Sequence, residues 1–357
     1  FFREIADWEN RITSLSPDRV YLDAQCALRT ALYHKLGIPV VLVETMPLSL
    51  YDPWVPPFTS GLIPKQTSIS RLGIRLAWEK IVIVRKIRNL FFSMLLCRQD
   101  YFSLYKRLFL ECGFPFEEKI DWRRPFIIGI KESKILSMNP SSLDFPRKYP
   151  PNCQYAPSRV DLTREDPMLN QRYARVMEEV CLQKQQRPDI KIIYCFSSTV
   201  MGFEKRSKII FMKIRDICLR NPQFVFILSV GKYHNTSYLL PCPSNLYVFQ
   251  QVPQLHLLSY CDLMITSGGM NSIAECIEKE VPMLVCPLSL KSDQLGNSAR
   301  VVYHGLGLRA RIKLDSSRTI EKRIVQLFEN YATFKRNLSM MRTKILAEST
   351  AINTEVI

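Results

Sequence analysis

From residue 190 onward, short runs of uninterrupted apolar residues alternate with longer stretches of helical periodicity. The apolar runs are IIYCF at 192–196, FVFILSV at 224–230, LYVFQQV at 246–252, LMITS at 263–267 and PMLVCP at 282–287. Helical patterns fall near 202–219, from Asn271, over 294–303 and over 317–347. Strands that are apolar throughout and separated by helices predict a parallel sheet covered on both faces, hence a doubly wound α/β domain. Earlier in the chain, 2–15 reads as a helix, RVYLD at 19–23 as a strand, 24–36 as a helix and IPVVLVE at 38–44 as a second strand. That is a β-α-β unit, which implies a second parallel sheet. A proline-rich segment over 46–64 precedes a long helical pattern over 68–112. Strands are expected again at FIIGI (126–130) and KILSM (134–138), and a helix near 169–184. The polar, proline-containing QQRPDI that follows marks the expected domain boundary, with domains at 1–186 and 187–335 and a C-terminal helix and tail at 336–357.

A length of 357 residues suits two such domains, and 47% hydrophobic with 23% charged residues is a globular composition. Charge changes the picture more. Forty-nine Lys and Arg against 33 Asp and Glu leave a formal net charge of +16, which favours anionic partners. No zinc-finger spacing, aromatic RNA-binding signature or dense basic arm is present, so nucleic acid is not the expected partner. The basic residues concentrate in 68–112, at Arg71, Arg75, Lys80, Arg85, Lys86, Arg88, Arg98, Lys106 and Arg107. That region reads either as a solvated basic face or as an element lying on an anionic membrane surface. No apolar stretch approaches the length of a transmembrane helix. The eleven cysteines are scattered without a C-x-x-C pair, which fits a reducing, cytoplasmic setting better than a disulfide framework, with the membrane surface as a peripheral location.

The chemistry concentrates in SGGMNSIAE, residues 267–275, where an apolar strand empties into Gly268-Gly269 and a helix begins. In open α/β sheets ligands bind at the carboxyl ends of strands. Two glycines permit close backbone approach, and free N–H groups of a first helical turn attract phosphate. Asn271 and Ser272 add donors, and Glu275, one turn beyond Asn271, could accept hydrogen bonds from a ribose diol. The same Ser272-x-x-Glu275 spacing also fits a helix capping box that needs no ligand. Asp293-Gln294, opening the next helix, could hold sugar hydroxyls or simply cap that helix. No HExxH, GxSxG, P-loop or D-x-D motif is present, so no bound metal is expected.

VPQLHLL (252–258), SGGMNSIAE, VPMLVCPL (281–288) and DQLGNSARVV (293–302), in this order and spacing, resemble the donor-binding signature of the UDP-glycosyltransferase family. PDRVYLDA, LGIPVVLVET, VPPFTS and LDFPRKYP resemble that family's acceptor domain. The resemblance implies an α/β GT-B fold: two Rossmann-like doubly wound parallel-sheet domains facing each other across a cleft, with the N-terminal one incomplete in this chain. It further implies that Gln254 and Glu275 hold the nucleoside, that Gly268, Gly269, Asn271 and Ser272 hold the diphosphate beside Thr199, and that Asp293 and Gln294 hold the donor sugar. Ser267 stands where the family usually has His. Asp23 matches the carboxylate that orients the family's catalytic histidine; on its own residues it reads equally as a strand-end cap. The family's strand, glycine loop and histidine base are not found ahead of Asp23. The implied activity is metal-independent hexosyl transfer from a UDP- or TDP-sugar, without another cofactor, to a hydroxyl of a small or lipid acceptor, with inversion. Trp54, Phe58 and Trp78 are expected to line an apolar acceptor pocket. The alternative is a catalytically silent nucleotide-sugar-binding subunit or remnant.

Overall fold

The computed structural model describes residues 2–126, 128–148, 150–157, 160–164, 170–196, 204–232 and 235–350. They divide into two units, one up to Ser158 and the other Arg159–Thr350. The division falls ahead of the expected boundary at 186/187. The helix Gln171–Gln186 packs with the second unit: Tyr173 shares a 2.9 Å hydrogen bond with His256 Nδ1, and Lys184 pairs with Asp262 at 2.7 Å.

The first unit holds four parallel strands, β1 (Val20–Asp23), β2 (Val40–Glu44), β3 (Lys134–Ser137) and β4 (Cys153–Tyr155), side by side in that order. The β-α-β reading of its start is realised, since β1 and β2 pair in parallel. The described residues of FIIGI do not form the expected strand, however. Ile128 and Ile130 are buried in the core, and Ile130 forms a single antiparallel bridge to Ile120. The apolar run reflects burial of a loop clamped by Asp121 N–H to Gly129 O (2.8 Å) and Lys131 N–H to Lys119 O (2.8 Å). The 68–112 pattern breaks into helices Ser68–Leu95 and Tyr101–Glu111. Cys97 and Arg98 turn through left-handed φ of 46° and 63°, and the Asp100 carboxylate caps the second helix.

The pocket expectation for three aromatics needs correcting. Trp78 and Phe58 are core residues, with the Trp78 indole donating to Val55 O at 2.9 Å. Only Trp54 is exposed, and the Arg71 guanidinium lies 3.9 Å from its ring centre.

The second unit is a six-stranded parallel sheet: β5 (Lys191–Phe196), β6 (Phe224–Ser229), β7 (Leu246–Phe249), β8 (Leu263–Thr266), β9 (Met283–Val285) and β10 (Gly307–Arg309). Their spatial order is β10-β9-β8-β5-β6-β7, all parallel. β6 and β8 are buried at every position, as expected of inner strands covered on both faces. Strand order reverses between β5 and β8, and loops leaving adjacent strands in opposite directions open a crevice there. The long C-terminal pattern is two helices, Ser317–Glu329 and Tyr331–Thr350, interrupted at Asn330.

Candidate functional site

The site begins where β8 ends, at the reversal point. The Thr266 hydroxyl accepts the Gly268 N–H at 3.2 Å and tightens the turn. Gly268 then takes φ of +88°, a left-handed value open to glycine at no steric cost. A side chain there would also meet Val285 Cγ1 at 2.7 Å. Gly269 differs: its φ is −65°, and a Cβ added to it would have nothing within 4 Å. Gly268 is therefore demanded by the fold, whereas Gly269 faces open space at the head of a helix.

That helix is Met270–Glu278, with Gly269 as N-cap and no side chain capping it. The capping-box reading is thus not realised. Ser272 sits inside the first turn, and its hydroxyl lies 3.4 Å from Gln254 Nε2. Ile273, Cys276 and Ile277 bury the opposite stripe, which leaves the turn's N–H groups and the exposed Asn271 at the sheet's carboxyl edge. An uncapped helix start carries partial positive charge and orphan donors, a fit for an anion.

Glu275, only 5% exposed, is one turn further along the helix. Gln254 Nε2 donates to its Oε2 at 2.6 Å, and the half-exposed Arg164 lies 3.3 Å from its Oε1. Gln254 Oε1 in turn accepts from the Tyr194 hydroxyl at 3.0 Å. Burial pushes the Tyr194 phenol well above its ordinary pKa, so it remains a donor. The structure thus brings Gln254, Ser272 and Glu275 together in one polar chain. Tyr194 and Arg164 were not identified from the sequence: one sits within an apolar strand, the other 111 residues from its partner.

Asp293 precedes the helix Gln294–Tyr303 and makes no side-chain cap either. Its carboxylate accepts from Asn297 Nδ2 at 2.8 Å, and the same amide donates to Gly268 O at 2.9 Å. Asn297, one turn after Asp293, therefore ties the glycine turn to the Asp293 helix. The D-x-x-x-N spacing was the signal available for it. Gln294 is buried, and its Oε1 accepts the backbone N–H groups of Leu288 (2.8 Å) and Ser289 (2.9 Å). Only its Nε2 is thereby left to offer a ligand. Ser267 is buried at the end of β8. Thr199 lies outside the described residues.

Burial raises the Asp293 carboxyl pKa, against the opposing hydrogen bond from Asn297. A group raised on folding favours the fold below its unfolded pKa and loses that contribution as pH rises through the folded value. Asp293→Asn is therefore expected to gain stability relative to the parent as pH rises from acid to neutral. Thermal melts across that range test this, and a gap independent of pH would contradict it.

In the first unit, Asp23 closes β1 with an exposed carboxylate whose Oδ1 accepts Gln25 N–H at 2.7 Å. The strand-end cap is realised.

Comparison with known proteins bears on the same segment. Residues 235–347 match the family model for UDP-glucoronosyl and UDP-glucosyl transferase. The NDP-glycosyltransferase YjiC of Bacillus subtilis is 37% identical over 98 residues, 28% of this chain and 24% of that protein. The zeaxanthin glucosyltransferase of Pantoea ananas is 26% identical over 217 residues, 60% of this chain and 46% of that protein. The matches thus span under half the length of these relatives. The spinosyn rhamnosyltransferase SpnG, solved with thymidine diphosphate, superposes with a TM-score of 0.60 at 17% identity, covering 100% of this chain and 77% of that one. At that identity the likeness establishes the fold, two parallel-sheet α/β units of GT-B type. Within residues 235–347, the segment that carries the glycine turn and its helix, the chain is similar to the UDP-glycosyltransferase family.

Proposed function

We propose that the chain is a glycosyltransferase that moves a hexosyl group from a UDP- or TDP-sugar to a hydroxyl of a small, lipophilic acceptor with inversion. The observation that carries this is the uncapped helix start behind Gly268-Gly269, with a buried carboxylate one turn along it. In this reading the N–H groups at Gly269, Asn271 and Ser272 receive the diphosphate and stabilise its charge as it departs. Glu275 and Gln254 exchange their contacts with Arg164 and each other for the ribose hydroxyls, while Tyr194 holds Gln254 in orientation. Asp293 and the Gln294 amide meet the sugar, with Ser267 and Thr199 beside the phosphates. The helix dipole supplies the positive charge, so the reading calls for no metal or other cofactor. The thymidine diphosphate held by SpnG and the glucosyl transfer in the zeaxanthin enzyme's name support this class of donor.

Calorimetric titration of UDP and TDP into the parent and Gly269→Ala tests the assignment. Because φ at Gly269 suits alanine and the space is open, the variant is expected to fold with an unchanged melting temperature. The added methyl would stand where the diphosphate approaches, so nucleotide affinity is expected to fall about tenfold or more. Equal affinity in the two proteins would remove the diphosphate from this turn.

A second reading, a nucleotide-sugar-binding unit that transfers nothing, is favoured by the capping role of Asp23. Asparagine also caps, so Asp23→Asn keeps the local fold and deletes the charge. If Asp23 positions a histidine base, the variant loses kcat at unchanged KM and its pH–rate profile shifts. No effect on transfer would leave Asp23 as a cap alone.

A further inference from the structure

The first unit carries a surface that the donor-site reading does not use. The helix Ser68–Leu95 buries Ile74, Trp78 and Arg85 on one side, where the Arg85 guanidinium donates to Trp122 O at 2.7 Å. Along its outer side Ile69, Leu76, Ile83 and Leu90 recur every seventh residue, with Ile87 and Met94 four after the last two, and all are exposed. Ile69 is 85% exposed and Met94 66%. At about 1.5 Å per residue this makes an apolar stripe on the order of 40 Å long. A contiguous apolar surface of that extent marks an interaction site rather than scattered surface residues.

The charges beside the stripe decide what kind. Arg75 and Lys86 border it on one side and Arg88 on the other, while Lys80 lies within it. Of the nearby acids, Glu79 is paired with Arg123, Glu111 with Arg107, and Asp100 is buried as a helix cap. Beyond the break, a groove of about 880 Å³ between this helix and Tyr101–Glu111 is lined by Lys86 and Arg98 together with Leu90, Phe102 and Trp122, while Lys106 and Arg107 at its rim are paired with Glu117 and Glu111. Cations beside an apolar floor are complementary to an anionic amphiphile.

We propose that this face seats the protein on an anionic lipid surface, with the helix lying in the plane of the interface. A second copy of the chain fits less well. A two-fold interface would set the positive borders against each other and enclose Lys80 in the seam. At a bilayer surface the same lysine extends its apolar stem along the helix and keeps its ammonium among the phosphates. No helix among the described residues is long and apolar enough to cross a membrane, so the contact is with the surface.

Co-sedimentation with phosphatidylcholine vesicles, with and without phosphatidylglycerol, tests the proposal. The chain is expected to pellet with the anionic vesicles, not with the neutral ones, and to be released as salt rises. Two variants touch only exposed positions: Ile83→Ser with Leu90→Ser, and Lys86→Glu with Arg88→Glu. Each is expected to weaken partitioning by roughly tenfold or more while leaving the melting temperature and UDP titration unchanged. Failure to pellet, equal pelleting on neutral vesicles, or parent-like binding by either variant would overturn it. So would a dimer in sedimentation velocity that Ile83→Ser with Leu90→Ser dissolves, without vesicle binding by the parent. Because UDP binding is read separately, loss of the donor-site reading would leave this result intact.

Discussion

Glu275→Ala is expected to weaken UDP binding by about two orders of magnitude while the protein stays folded. The carboxylate is 5% exposed, so a ribose diol that reached it would make charge-assisted hydrogen bonds away from water. Such bonds are worth about 1.5–3 kcal/mol each, and losing them accounts for the expected factor. Stability should suffer less. Arg164 is half-exposed and returns to water, and Gln254 keeps Tyr194 and Ser272 within reach. The orphaned Gln254 N–H costs about 1–3 kcal/mol. Calorimetry at one temperature, with a thermal melt alongside, separates the two effects. Retained affinity in a folded Glu275→Ala would mean that Glu275 serves only to fasten Gln254 and Arg164, and the nucleoside would have to be sought elsewhere.

Arg124→Met is expected to cost the first unit about 3–5 kcal/mol, a large part of what holds a domain folded. Arg124 and Glu44 are both buried, and their charges meet through Arg124 Nη2 and Glu44 Oε1. Arg124 Nε also donates to Ser49 Oγ at 3.1 Å, and Nη1 to Ile130 O at 3.0 Å. Glu44 Oε2 accepts Ser49 N–H at 2.8 Å. Methionine matches much of the arginine's volume but leaves Glu44 charged and unpaired in the core. Adding Glu44→Gln to Arg124→Met removes that charge, so the double variant should recover part of the loss. Urea unfolding followed by tryptophan fluorescence suits the test, since Trp8, Trp54, Trp78 and Trp122 all belong to this unit. A loss below about 1 kcal/mol would show that the core tolerates Glu44 without its arginine, and that the pair does not hold this unit together.

This ion pair joins residues 80 positions apart, and nothing in either local sequence announces it. The same limit applies within the candidate site. Ser272-x-x-Glu275 was compatible with a capping box and with a ligand site; the helix start at Gly269 places Ser272 too far inside to cap. Asp293 looked like a helix cap, yet its carboxylate turns to Asn297. Gln294 was read as a sugar ligand, and the structure engages its oxygen in the Leu288–Ser289 loop. Strands β4 and β10, three residues each, were missed because they are too short to show a period. At Ile128 and Ile130 the apolar run records burial, which does not distinguish a strand from a clamped loop.

By itself the sequence determined the parallel α/β character of both units, the doubly wound pattern of the second and the position of its glycine turn. Each of these follows from local periodicity or from the conformational freedom of single residues, and both act over a few positions. Which polar groups meet was decided by the tertiary structure. Gln254, Glu275, Tyr194 and Arg164 come from four separate segments of the second unit, and Asn297 reaches back 29 residues to Gly268. Buried donors and acceptors must find partners, and which ones they find is set by how strands and helices pack once water is excluded.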